Sequence, residues 1–136
     1  MKMLAEDIKN GNFKTAYLFC GEEAYLRNQY KNRLAQALCD PSDTMNFSRF
    51  EGKNIIPAEV ISLADTLPFF AERRLILIED SGFFKNKCDE LADYLPKMPD
   101  TTCIIFVETE ADKRNRLYKA VQKQGRVIEF QTQDER

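Results

Sequence analysis

Arg73-Arg74-Leu75-Ile76-Leu77-Ile78-Glu79 carries four aliphatic residues in succession between charged ends. A strand with one wet face alternates apolar and polar residues. An unbroken run ended by the turn-forming Asp80-Ser81-Gly82 reads instead as a strand covered on both faces. Two more runs share this character: Thr15-Ala16-Tyr17-Leu18-Phe19-Cys20, ended by Gly21, and Thr102-Cys103-Ile104-Ile105-Phe106-Val107. Asn46 to Phe50 alternates, and Val127-Ile128-Glu129-Phe130 is short, giving five strands in all. Between them lie helical segments. Leu4 to Asn10 is closed by Gly11. Glu22 to Leu38 repeats Leu26, Tyr30, Leu34 and Leu38 at steps of four, and Asp40-Pro41 stops it. Pro57 opens a helix with Val60, Leu63, Ala64 and Leu67 on one side. Lys85 to Leu95 is stopped by Pro96 and Pro99, and Lys113 to Gln124 by Gly125. Strands alternating with helices predict an α/β fold: a doubly wound, mainly parallel five-stranded sheet with helices on both faces. The sequence stops at Gln133-Asp134-Glu135-Arg136, just after a strand, where such a sheet receives a covering helix, so a piece of a longer protein is expected.

The composition narrows the chemistry. A chain of 136 residues fits one domain large enough to fold without bridges or metal. Twenty Lys and Arg against 22 Asp and Glu leave a net charge of −2, which is no general nucleic-acid surface. There is no histidine, which removes Ser-His-Asp, Cys-His and histidine–metal chemistry together. The cysteines at 20, 39, 88 and 103 have no C-x-x-C spacing. They read as reduced, mostly buried thiols of a cytoplasmic protein, with no zinc. The N-terminus lacks the apolar core of a signal peptide, and no run is long enough to span a membrane.

Three features invite a chemical reading. The turn after the first strand, Gly21-Glu22-Glu23-Ala24-Tyr25-Leu26-Arg27, stands where a doubly wound fold binds phosphate on a helix N-terminus. It has one glycine, two acids and no lysine, so it reads as a helix cap rather than a P-loop. Glu79-Asp80 mimics a Walker B pair, yet such acids hold magnesium only when a phosphate shares the metal, so they read as turn residues. The same acids raise an alternative, a receiver-like phosphoacceptor domain using Glu22, Glu23 and Asp80. That chemistry wants a lysine after the fifth strand, where Gln131-Thr132-Gln133 stands. Lys113, Arg116, Lys119 and Lys123 recur at helical steps beside Arg114 and Arg126, and read as a solvated face. Last comes Leu67-Pro68-Phe69-Phe70. The proline blocks a smooth helix, and two adjacent rings cannot face one way in a strand, so at least one should project from a loop. These residues alone leave two readings open: a corner packed on the domain's own core, or an exposed anchor pair for a partner's pocket.

The run Thr66-Leu67-Pro68-Phe69-Phe70-Ala71-Glu72-Arg73-Arg74-Leu75-Ile76-Leu77-Ile78 resembles the delta subunit of the bacterial DNA polymerase III clamp loader. Tyr17 to Glu23, Asn46 to Lys53, Asp112 to Ala120 and Gly125 to Phe130 are similar to other pieces of that family, in the same order. The resemblance implies an AAA+-like first domain over residues 1–136 with a decayed nucleotide site and neither cofactor nor catalysis of its own. The family's helical lid and collar domains lie outside this sequence. It further implies that Leu67, Pro68, Phe69 and Phe70 bind the sliding clamp (the beta subunit) and help open it during DNA replication. The other loader subunits (gamma/tau and delta prime) would be met mainly through the lid and collar, and DNA only indirectly. Clamp-binding peptides often begin with glutamine, whereas Thr66 stands at that offset, which leaves the contact to the two rings. A generic nucleotide-free α/β interaction module, its partner unknown, is the remaining alternative.

Overall fold

The computed structural model describes residues 2–40 and 42–131. The element order is α1 (Lys2–Asn10), β1 (Ala16–Cys20), α2 (Ala24–Leu38), β2 (Phe47–Glu51), α3 (Pro57–Ala64), β3 (Arg74–Glu79), α4 (Asp89–Tyr94) with a 3-10 turn over Leu95–Lys97, β4 (Thr102–Glu108), α5 (Arg116–Gln124) and β5 (Arg126–Glu129). The strands form one sheet in the order β2-β3-β4-β1-β5, with every pairing parallel. The three unbroken apolar runs are the three central strands, and each of their residues is buried. A central parallel strand has both faces roofed by crossover helices, so its middle positions are apolar, and the buried polar residues Arg74, Glu79, Thr102 and Glu108 stand at the strand ends.

The side chains alternate between two cores. Leu18, Ile76, Ile78, Ile104 and Phe106 pack with Val60, Leu91, Leu117 and Val121 of α3, α4 and α5. Tyr17, Phe19, Leu75, Leu77, Ile105 and Val107 pack with Leu4 of α1 and Leu34 and Leu38 of α2. The doubly wound sheet expected from the sequence is the one observed. Asp7 of α1 ties this second layer to the sheet. Its carboxylate accepts from Arg126 Nε at 2.6 Å and Nη2 at 2.9 Å, and from the Tyr17 hydroxyl at 3.0 Å. The hydrogen bonds of Arg126 hold the Asp7 carboxyl below the usual carboxylate range, against the opposing pull of burial.

Three helices depart from their predicted bounds by more than two residues, each for a local reason. The segment after β3 is a turn rather than the start of α4. Gly82 has φ +79°, and its carbonyl accepts from both Lys85 N and Asn86 N, while Phe83 and Phe84 drop into the core. The helix at Lys113 starts instead at Arg116, because Asn115 caps it through its side-chain oxygen, 2.7 Å from Leu117 N and 3.2 Å from Tyr118 N. Lys113 therefore precedes the helix, and the four basic residues do not form one helix face. The third departure is α3, which ends at Ala64, so Leu67 is not on its inner side but 68% exposed in the following loop. Pro41 and residues 132–136, where a helix stop, part of the position after β5 and the closing tetrapeptide were placed, lie outside the described residues.

Candidate partner-binding site

The loop from Asp65 to Arg73 joins α3 to β3 at the amino-terminal edge of the sheet. Pro68 lies outside any helix, where its missing N–H costs nothing. Two side chains distant in sequence hold the loop's backbone. Asn46, just before β2 and only 1% exposed, accepts from Phe69 N at 2.6 Å and donates from Nδ2 to the Phe69 carbonyl at 2.8 Å. Arg74, the first residue of β3, donates from Nε to the Thr66 carbonyl (3.1 Å), from Nη1 to that of Met45 (3.2 Å) and from Nη2 to that of Leu67 (3.2 Å). On this fixed backbone the rings point away from the core. Phe69 is 52% and Phe70 93% exposed, and they meet edge to face with centroids 4.4 Å apart. Phe70 has φ +53°, a left-handed conformation unusual for a bulky residue and found where surrounding structure imposes it. Arg73 leaves the loop with its guanidinium 4.8 Å from the Phe13 ring centroid.

Both rings therefore project, where at least one was expected. Met45, also exposed, lies on the adjoining loop, whose Met45 carbonyl shares the Arg74 guanidinium with that of Leu67. Sequence reasoning missed Met45, Asn46 and Arg74 as parts of this site. Asparagine before a strand and arginine at its start are ordinary, and only the approach of the 66–69 loop to the Met45–Asn46 segment gives them their task.

The turn after β1 lies at the opposite, carboxyl edge. Here β1 leads to α2 on one face and β4 to α5 on the other, so the crevice between them is where a doubly wound fold receives ligands. It has a volume of about 680 Å³, and among the described residues its lining includes Glu22, Glu110 and Glu129 but no lysine or arginine. Two of the turn's backbone donors are spent within the chain. Gly21 N donates to the Thr109 carbonyl at 3.1 Å and Glu23 N to the Phe130 carbonyl at 3.0 Å. Gly21 itself (φ +118°) lies so close to Phe130 that a Cβ would sit 2.2 Å from its carbonyl oxygen. Glu23 occupies the N-cap position of α2, although its side chain makes no capping bond.

The Walker-like Glu79 is also engaged. It pairs with Lys31 Nζ at 3.0 Å and Arg49 Nη2 at 2.5 Å, and these cations outweigh the effect of burial and hold its pKa low. Asp80 is an exposed turn residue with φ +55°. The strand order removes the phosphoacceptor alternative: β4 lies between β1 and β3, so the acids after those strands are two strand spacings apart, roughly 10 Å. The sequence reading passed over Glu108, which is buried and accepts from Ser81 N (3.1 Å), Ser81 Oγ (2.7 Å) and Gly82 N (3.2 Å), fastening the turn after β3. Burial pushes its pKa up. All four cysteines are unpaired and buried, and burial raises the Cys20 thiol to about 11. Of the basic set, Arg126 binds Asp7, Arg116 binds Asp89 and Asp93, Lys113 binds Glu129 and Arg114 binds Asp112. No helix among the described residues is long and apolar enough to cross a membrane.

These features define a doubly wound α/β domain with an acid-lined crevice where its fold would receive phosphate and with two exposed rings on a braced loop. The family model for the DNA polymerase III delta subunit matches residues 17–131, and the chain belongs to that family. A curated relative, DNA polymerase III subunit delta of Bacillus subtilis (strain 168), is 27% identical over 91% of this chain and 39% of its own length. The chain thus spans about two fifths of that relative. Among solved structures, a Bacillus subtilis DNA clamp loader delta protein superposes with a TM-score of 0.85 at 23% identity, over 97% of this chain and 42% of the other. A gamma-subunit-related DNA polymerase III protein from Thermotoga maritima superposes with a TM-score of 0.64 at 12% identity, over 97% of this chain and 47% of the other. At such identities the superpositions establish the fold.

Proposed function

We propose that residues 1–136 are the clamp-binding first domain of a cytoplasmic clamp-loader delta subunit. Leu67, Pro68, Phe69 and Phe70 dock into an apolar pocket of the ring-shaped sliding clamp, the beta subunit, and help hold it open for loading onto DNA. The domain performs no catalysis and handles no ATP. Nucleotide is bound and hydrolysed by other loader subunits, gamma/tau and delta prime being met mainly through lid and collar domains, and DNA is met only indirectly. The single observation carrying this reading is the pair of exposed rings on a backbone held by buried side chains. Two adjacent phenylalanines in water forgo roughly 1.5–3 kcal/mol each that burial would supply, and a fixed apolar tip recovers this by entering a partner. The acid-lined crevice beside the phosphate turn supports the second half of the proposal. Family membership and the likeness to a clamp loader delta protein favour the clamp as that partner. Binding energy that favours a distorted clamp interface shifts the ring towards its open form. The test is co-elution of the protein with the purified sliding clamp of its own organism. A shifted, stoichiometric peak is expected, and two independent peaks at concentrations well above micromolar would overturn the proposal.

A further inference from the structure

We propose that Asn46 and Arg74 are positioning residues: without touching the partner, they hold the 66–69 backbone in its docking conformation and so set the affinity of the aromatic tip. This rests on the reading above that the tip is what docks. The side-chain amide of Asn46 faces Phe69 as a neighbouring strand residue would, accepting from its N–H at 2.6 Å and donating to its carbonyl at 2.8 Å. Asn46 is itself anchored: Nδ2 donates to Asp43 Oδ2 at 2.8 Å, and its carbonyl accepts from Leu75 N of β3 at 2.8 Å. Arg74 adds three bonds from one rigid fork, to the carbonyls of Thr66, Met45 and Leu67. Both side chains are buried, and together they direct five hydrogen bonds at the two loops that carry the exposed apolar residues.

The rings at 69 and 70 contribute little burial to fix their own loop. Without the Asn46 and Arg74 bonds, the loop would sample other conformations, and its apparent affinity would fall by the fraction of time it spends in the competent one. A role confined to stabilising the fold would instead lower the protection of the whole sheet. The experiment is a clamp titration of the intact subunit as wild type, Asn46→Ala, Arg74→Lys and the Phe69→Ala, Phe70→Ala double variant, alongside amide hydrogen exchange. Asn46→Ala removes both bonds to Phe69, and lysine at 74 keeps the charge but not the three-way fork. The expected result is a dissociation constant raised at least ~10-fold in either variant. The Phe69 amide should lose protection while the Ile76 and Leu77 amides of β3 keep theirs. Wild-type affinity in both variants overturns the assignment. Loss of β3 protection in both, or failure of both to fold, overturns it as well, by making the pair structural. The controls separate the two proposals. A wild type that does not bind the clamp defeats the functional reading. A wild type that binds, a ring variant that does not and an Asn46→Ala that binds normally defeat only the positioning role.

Discussion

Phe70 combines two properties that a residue chosen for folding would avoid: a left-handed backbone and a ring left in water. An L-residue there carries strain on the order of 1–2 kcal/mol, which glycine does not. Phe70→Gly is therefore expected to melt higher than Phe70→Ala, by the equivalent of about 1 kcal/mol, although both lose the same ring. Thermal melts of the two variants check this, and an alanine variant that melts higher would show that the strain is absent. That at least one ring projects was legible in the sequence, because a proline followed by two rings fits neither a helix nor a strand, whereas the helical pattern puts Leu67 on the inner side of α3, which ends before it. The residues that hold the loop were not legible. Asn46 and Arg74 act on backbone carbonyls and amides, which leave no trace in side-chain patterning, and Asn46 reaches across 23 positions to do so.

Strands were easier to read than helices. The three central ones announce themselves as unbroken apolar runs, and all five lie within a residue or two of the predicted bounds. Helix starts slipped where a side chain or turn reset the boundary, as at Asn115 and at Gly82. Periodicity describes a helix interior and is silent about which residue satisfies its first amides. The attachment of α1 to β5 was also unreadable, since Asp7 and Arg126 are 119 positions apart. This attachment predicts a pH dependence. A carboxyl whose folded pKa is depressed contributes its full stability above its unfolded value, near pH ~4, and loses it as pH falls through the folded value. Asp7→Asn should lower stability at pH 7 by about 1–3 kcal/mol, leaving Arg126 without its charged partner. It should also flatten the acid limb of the stability curve between about pH 5 and 2. Melts across that range check both effects, and parallel curves for the two proteins would show that the pair carries no linkage. Glu79, held low by Lys31 and Arg49, adds to the same limb. Glu108, raised by burial, works in the opposite sense, favouring the fold more when protonated.

The whole domain separates its two ends. At the carboxyl edge of the sheet, the place a nucleotide would take is lined, among the described residues, by three carboxylates, and the amides of Gly21 and Glu23 there bond to the chain itself. At the amino edge, two rings stand on a braced loop. The first end predicts that titrating the protein with ATP and magnesium in a calorimeter gives no binding heat up to millimolar concentration; micromolar binding would contradict it. The second end carries the central claim, that fold and partner binding are distinct properties of different residues. Rings in the protein's own core would each cost about 3–5 kcal/mol on truncation, a large part of the ~5–15 kcal/mol available to a domain. Rings that enter a partner's pocket instead cost binding, roughly 1.5–3 kcal/mol each and so ~100-fold or more together. The measurement that decides is a clamp titration and a thermal melt of the Phe69→Ala, Phe70→Ala variant beside the wild type. An unchanged melt with clamp affinity reduced at least ~100-fold is the predicted result. A large fall in melting temperature, or undiminished affinity for the clamp, would contradict it.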